Sequence, residues 1–458
     1  MDVHTCKAGV SPQEQAEQFF KTEAKALALC YSFKQYYLPE QPDLQLTAVF
    51  LKEGSCLYLL ISEKVAEAEN NLHGLDGPLS LSALRTLAEI LGAAVFDINT
   101  PLPLVPIAIA KPWGQEIWFT GIEERGQSGV GDSALSVPLP WLLSLLPQRL
   151  LGESTPSLNL LKILDPLPEP VYGDLYFELH EKKREVYVVT GVDKDCWPSG
   201  QGAIRFGFSR RVRAEFEADD GFRKAYLLAV DNYWAVRSEI DEIFDACRQK
   251  AGLLLDEPVA VRLLKQWQAD LPLQLVERER EMRMAMERFT DLKPLCEGDV
   301  VEVPCYLPHA LQHGVRTIEF QTPVYERKIL AFAQKVLTQA RWDTVAGVRD
   351  MALFPEQEAG FKVLENNETV CREQIVRFED FKVQRLSLEG GASWLLSPRA
   401  SYVLLIVVTG EVQAGDKVQA PCLKSEQAVL LPALGSGVHI TNMQGSEKSV
   451  VLLSEPVI

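Results

Sequence analysis

A change of hydrophobic period in the middle of the chain constrains its fold more than any other feature. Between Phe222 and Phe289 apolar residues recur at helical spacing: Leu227, Val230, Trp234, Ile240, Phe244 and Cys247, then Leu263, Leu264 and Trp267. On either side the period drops to two, the repeat of a strand with one buried face. Upstream lie Ala203–Phe208 and Val212–Phe216; downstream Val301, Val303 and Tyr306 alternate before Ile318–Phe320. The pattern predicts a β-rich fold interrupted by a helical insertion. Within the insertion Met282, Met284 and Met286 read as helix core, and Glu277–Glu281 (ERERE) as a solvated face.

The strands flanking that insertion carry the residues suited to chemistry. In Gly173–Gly191 (GDLYFELHEKKREVYVVTG), Glu178 and His180 stand two apart, so an extended strand points both to one face. The charged interval Glu181–Arg184 predicts a turn, and Glu185 opens the next strand. Folded as a hairpin, this stretch puts two carboxylates and an imidazole on one concave surface. His309, in GDVVEVPCYLPHALQHG, offers a distant fourth ligand. Glu and His together suit a divalent first-row metal. Against this stands the plainer reading of each residue alone, an exposed strand Glu or a hydrogen-bonded core His.

The spacing Gly173-x4-Glu178-x-His180-x4-Glu185-x5-Gly191 resembles the first cupin motif, and Gly298-x5-Pro304-x4-His309 resembles the second. Two of only six histidines (4, 73, 180, 309, 313, 439) fall on the ligand positions. Within cupins the chain is similar to type I mannose-6-phosphate isomerase. Lys111–Trp118 (KPWGQEIW), Leu150–Glu169 and Arg341–Val348 (RWDTVAGV) resemble that family's segments in the same order, and the likeness covers roughly residues 106–458. The resemblance implies a mainly β fold with α: cupin (jelly-roll) barrels, a helical insertion domain and an N-terminal α+β unit. It also implies Zn²⁺, or another divalent first-row metal, on Glu178, His180, Glu185 and His309. Lys183 of the Lys-x-Glu pair and Arg327 would be catalytic; Trp113 and Arg327 would bind substrate. The implied reaction interconverts mannose 6-phosphate and fructose 6-phosphate through an enediolate.

Three departures from the family bear on this. Glu178 stands where the family has Gln, which adds a negative charge and makes a divalent-metal site neutral. Glu181 replaces a Pro, and Gln115 replaces a Gly near the expected barrel mouth. These favour an alternative, a catalytically inactive cupin serving as a metal- or sugar-phosphate-binding module. A third reading, a metal-dependent oxygenase, fits the helical insertion less well. His313 is expected to be peripheral. Gly126–Ser133 (GQSGVGDS) lacks the Lys-Ser/Thr of a phosphate loop and is expected to be a flexible loop.

At 458 residues the chain exceeds a single core. Its expected divisions are 1–105 (N-terminal α+β), 106–216 (first part of the metal barrel), 217–296 (helical insertion), 297–330 (second part, with His309) and 331–458 (a degenerate cupin that binds no metal). In the first, a polar helix over Ser11–Tyr31, strands at Leu44–Leu51 and Ser55–Ser62, and a helix over Leu81–Leu91 stopped by Gly92 are expected. Ile329–Gln339 is expected to be helical. A formal charge of −17 argues against a nucleic-acid partner. Nine cysteines without a CxxC pair indicate neither a zinc knuckle nor a disulfide framework. No apolar run is long enough to span a bilayer, and the N-terminus lacks a signal pattern. The expected protein is cytoplasmic, a monomer or homodimer, with a small-molecule sugar phosphate as its partner.

Overall fold

Strand pairing across long sequence distances builds the part of the molecule that carries the expected ligands. The computed structural model describes residues 3–5, 10–75, 77–132, 134–153, 155, 157–356, 360–415, 420–433 and 435–457. Its chain divides into two units. One comprises residues 1–107, 118–161 and 360–458, and the other residues 108–117 and 162–359. Each unit is assembled from separated stretches.

In the second unit, one sheet has the order Val300–Val303, Glu185–Val192, Val315–Gln321, Leu160–Pro166, Gly114–Trp118, Ile107–Lys111. The other runs Thr290–Leu295, Gly202–Phe208, His309–Leu311, Phe177–Leu179, Lys328–Ala331. Side chains from both, among them Trp113, Leu164, Tyr187, Ile204, Phe206 and Val301, form one buried core. The result is a two-sheeted barrel. The expected hairpin is not formed. Phe177–Leu179 and Glu185–Val192 belong to different sheets, and the turn between them carries the chain across the barrel.

The helical insertion is present as Asp219–Lys250, Val261–Ala269 and Leu273–Glu287. The first helix buries Phe222, Tyr226, Val230, Tyr233, Ile240 and Phe244, a stripe of the i, i+3, i+4 kind. Asp219 and Asp220 sit in its first turn and Arg248 and Lys250 in its last, each favoured by the helix dipole. Phe222 packs edge-on against Phe208 with ring centres 5.4 Å apart, and Phe208 in turn meets Phe177 at 5.8 Å. An aromatic chain thus runs from the insertion to the strand bearing Glu178.

The first unit contains a five-stranded sheet, Val3–Thr5, Ala26–Phe33, Leu44–Glu53, Cys56–Ser62 and Val95–Asp97, that shares a core with helices Val65–His73 and Leu81–Leu91. It also contains a nine-stranded sheet whose inner strands include Val403–Thr409, Ser449–Pro456 and Phe381–Leu388. A four-stranded sheet shares a core with it.

Four further expectations are corrected. The helix expected over Ser11–Tyr31 ends at Phe20, where the Lys52 ammonium bonds the carbonyls of Phe19 (2.8 Å) and Thr22 (2.6 Å); Ala26–Phe33 is a strand. Val212 belongs to a helical turn, Arg210–Arg213, with Ser209 as its cap. Ile329–Gln339 is not a helix: Lys328–Ala331 is a strand, and Ile329 pairs with Glu178. Short apolar runs do not reveal their period until a partner strand selects it. In Gly126–Ser133, Gly126–Gln127 and Gly129–Gly131 are short strands rather than a loop, and Ser133 lies outside the described residues.

Candidate metal centre

Three neighbouring strands and one facing strand converge here. Glu178 is paired with His309, and His309 with Phe206, so the Phe177–Leu179 and His309–Leu311 strands present their ligands side by side. Glu185 comes from the opposite sheet. Two glycines of the sequence pattern have local reasons. A side chain at Gly173 would collide with the Leu167 carbonyl, and Gly298 adopts φ +89° in the turn before Val300–Val303.

Ligand atoms of Glu178, His180 and His309 lie within 4.8 Å of one another. His180 Nε2 stands 3.6 Å from Glu178 Oε1 and 3.4 Å from Glu185 Oε1, and His309 Nε2 stands 3.1 Å from Glu185 Oε2. Donors about 2.1 Å from a tetrahedral ion are about 3.4 Å apart, so these separations match the edges of such a cage.

The tautomers support the same reading. His180 Nδ1 lies 2.9 Å from the Glu326 carbonyl and His309 Nδ1 3.0 Å from the Leu307 carbonyl. A carbonyl only accepts, so each Nδ1 donates and each ring turns its Nε2 inward. Burial, reinforced by Lys183, outweighs the carboxylates and holds His180 below the ordinary imidazole range, in its neutral form. Its buried Nε2 has no hydrogen-bond partner, and neither has Glu178 Oε2. The His180 lone pair and the carboxylate oxygens face one another, an arrangement that repels unless a cation lies among them. The residues fit a divalent metal.

The carboxylates are ionised despite their surroundings. Burial alone would raise Glu178, but the Arg327 guanidinium, with the Lys183 ammonium, pulls it below its usual range. Burial would also raise Glu185, and the Lys183 ammonium holds it well below that range. Glu185 is fixed further by Lys183 Nζ at 2.7 Å and by the Tyr187 hydroxyl, which donates to it at 2.7 Å.

The other expected residues take varied places. Arg327 Nη1 stands 3.8 Å from Glu178 Oε2, Nη2 donates to Thr338 Oγ1 at 3.1 Å, and the guanidinium lies over the Tyr176 ring. Trp113 is 1% exposed and packs in the barrel core. Gln115 donates to Asp165 at 2.7 Å. His313 bonds Asp174 at 2.7 Å and stacks on Trp197, away from the ligand group. Glu181 pairs with Lys328.

Sequence reasoning missed a second polar group inside the barrel. Lys162 lies 3.2 Å from Glu319 and 3.9 Å from Glu116. Burial, with Glu185 and Glu116 adding to it, outweighs Lys162 and pushes Glu319 well above the ordinary carboxyl range, so it holds a proton. The available signal was a Lys and a Glu inside the otherwise apolar runs LLKIL and TIEF, where strand burial leaves charge costly.

The sequence matches no family model and no curated protein sequence. Solved structures do match. The mannose 6-phosphate isomerase from Bacillus subtilis aligns at 14% identity with a TM-score of 0.52, covering 78% of this chain and 99% of that one. A variant of the phosphomannose isomerase from Salmonella typhimurium aligns at 13% identity and TM-score 0.52, covering 78% and 100%. At these identities the likeness establishes the fold, which is of the phosphomannose isomerase kind.

Proposed function

We propose that this chain is a metal-dependent aldose–ketose isomerase. The observation that carries the reading is the pair of imidazole Nε2 atoms and two ionised carboxylates turned toward one another at tetrahedral spacing. Glu178, His180, Glu185 and His309 would hold the ion, with zinc first among the divalent first-row metals. When bound, such an ion polarises the carbonyl and adjacent hydroxyl of a sugar.

The chain's own residues supply the rest. Lys183, beside Glu185, is within reach of a sugar oxygen that approaches the same carboxylate. Glu319 keeps a proton inside the barrel, a general-acid reserve of the kind burial produces. Arg327 stands ready to stabilise negative charge developing on the substrate. Mannose 6-phosphate, the substrate in the Bacillus neighbour's name, and fructose 6-phosphate form the pair to assay first.

A second reading is favoured by a specific observation. Lys183 and Arg327 are both engaged by metal-ligand carboxylates, as in a binding module that no longer turns over. Elemental analysis of wild type and His309→Ala, followed by a coupled assay on the zinc-loaded protein, separates the two. One equivalent of metal lost in the variant, with turnover, is the expected result. Metal without turnover of any aldose favours the module, and no metal in the wild type overturns both.

A further inference from the structure

Cations around the candidate centre lie against acids. Lys183 is 2.7 Å from Glu185, and Arg327 is 3.8 Å from Glu178. Lys111 and Lys162 lie 3.3 and 3.9 Å from Glu116, and Lys328 is paired with Glu181. A fifth acid, Glu326, is held by the backbone N–H groups of Glu181 (2.8 Å) and Lys182 (3.1 Å).

From this pairing we infer that the site is built for an uncharged aldose, and that Glu178 withholds Arg327 from a phosphate group. The inference rests on the isomerase reading above and names its substrate class. A phosphate dianion entering here must share each cation with a buried carboxylate, and gains less from it than from a cation with no acid beside it. Arg327 is the clearest case: Glu178, the Thr338 hydroxyl and the Tyr176 ring already occupy its surroundings. Lys182, exposed in the turn, adds only a screened attraction.

Sugar hydroxyls face no such conflict. Each can donate to a carboxylate and accept from its paired cation, leaving the ion pair intact. The acid at position 178 is therefore the specificity-determining residue. With an amide there, Glu178→Gln, the charge that holds Arg327 is gone and the guanidinium becomes available for a bidentate phosphate contact.

The test is calorimetric titration of the zinc-loaded full chain with D-mannose and with mannose 6-phosphate, in the wild type and in Glu178→Gln. Zinc content is measured alongside to show that each site is intact. The wild type is expected to bind the two sugars within about threefold of each other. Glu178→Gln is expected to favour the ester by about tenfold or more, and adding Arg327→Met to it to abolish that gain. A wild type that already prefers the ester by more than threefold overturns the inference. So does an unchanged preference in Glu178→Gln, or binding of neither sugar. Turnover separates this from the underlying reading: mannose bound but not isomerised sinks the isomerase assignment and leaves the charge argument standing. Isomerisation with a strong ester preference does the reverse.

Discussion

Tyr187 shows how one residue shapes the centre. Its buried hydroxyl donates to Glu185 at 2.7 Å, and burial next to that acid and Glu319 raises it well above the ordinary phenol range, so it stays a donor. Hydrogen bonds to charged groups contribute about 1.5–3 kcal/mol. Tyr187→Phe should lower stability by that order, seen as a smaller denaturant midpoint. Asp174 makes a pH-dependent contribution. Burial would raise its pKa, but hydrogen bonds from the His313 ring and backbone N–H outweigh this and hold it below its usual value. A depressed carboxyl stabilises the fold fully above its unfolded pKa of about 3.9, and that stability is lost as pH falls through the folded value. The denaturant midpoint of the wild type should fall between pH 5 and 3 more steeply than that of Asp174→Asn. At this scale the sequence was informative where spacing within a strand decides direction, as for Glu178 and His180. It was silent on Lys162 with Glu319, which are brought together across more than 150 residues.

The elements carry a different lesson. The helical insertion is legible because its stripe repeats over many turns, enough to outweigh any single position. The strand Lys328–Ala331 is not, since four residues fit either period and only pairing with Phe177–Leu179 settles the matter. The hairpin expected around Glu181–Arg184 fails for a related reason. A turn signal says that the chain reverses, not which sheet receives it. Phe222, fully buried, ties the insertion to Phe208 and Phe289. Truncating it leaves a cavity worth about 3–5 kcal/mol. Phe222→Ala should therefore destabilise the protein by that amount in chemical denaturation. The metal retention proposed for the centre should weaken as well, measured as metal content, because Phe208 also packs on Phe177, next to Glu178.

For the whole molecule, the sequence divided the metal barrel into two parts around the insertion but could not foresee a unit drawn from residues 1–107, 118–161 and 360–458. The nine-stranded sheet depends on this. Leu102–Val105 pairs with Ala428–Leu431, and Ser449–Pro456 lies between Phe381–Leu388 and Val403–Thr409. A chain ending at Glu356 keeps every candidate ligand yet leaves that sheet without its central strands. It should be recovered mostly as insoluble protein, measured as the soluble fraction beside the full chain. The same arrangement sets a timetable for synthesis. Every strand of the barrel precedes residue 356, whereas the nine-stranded sheet waits for Phe381–Leu388, Val403–Thr409 and Ser449–Pro456. A nascent chain can thus bring Glu178, His180, Glu185 and His309 together while the central strands of its other sheet are still being written.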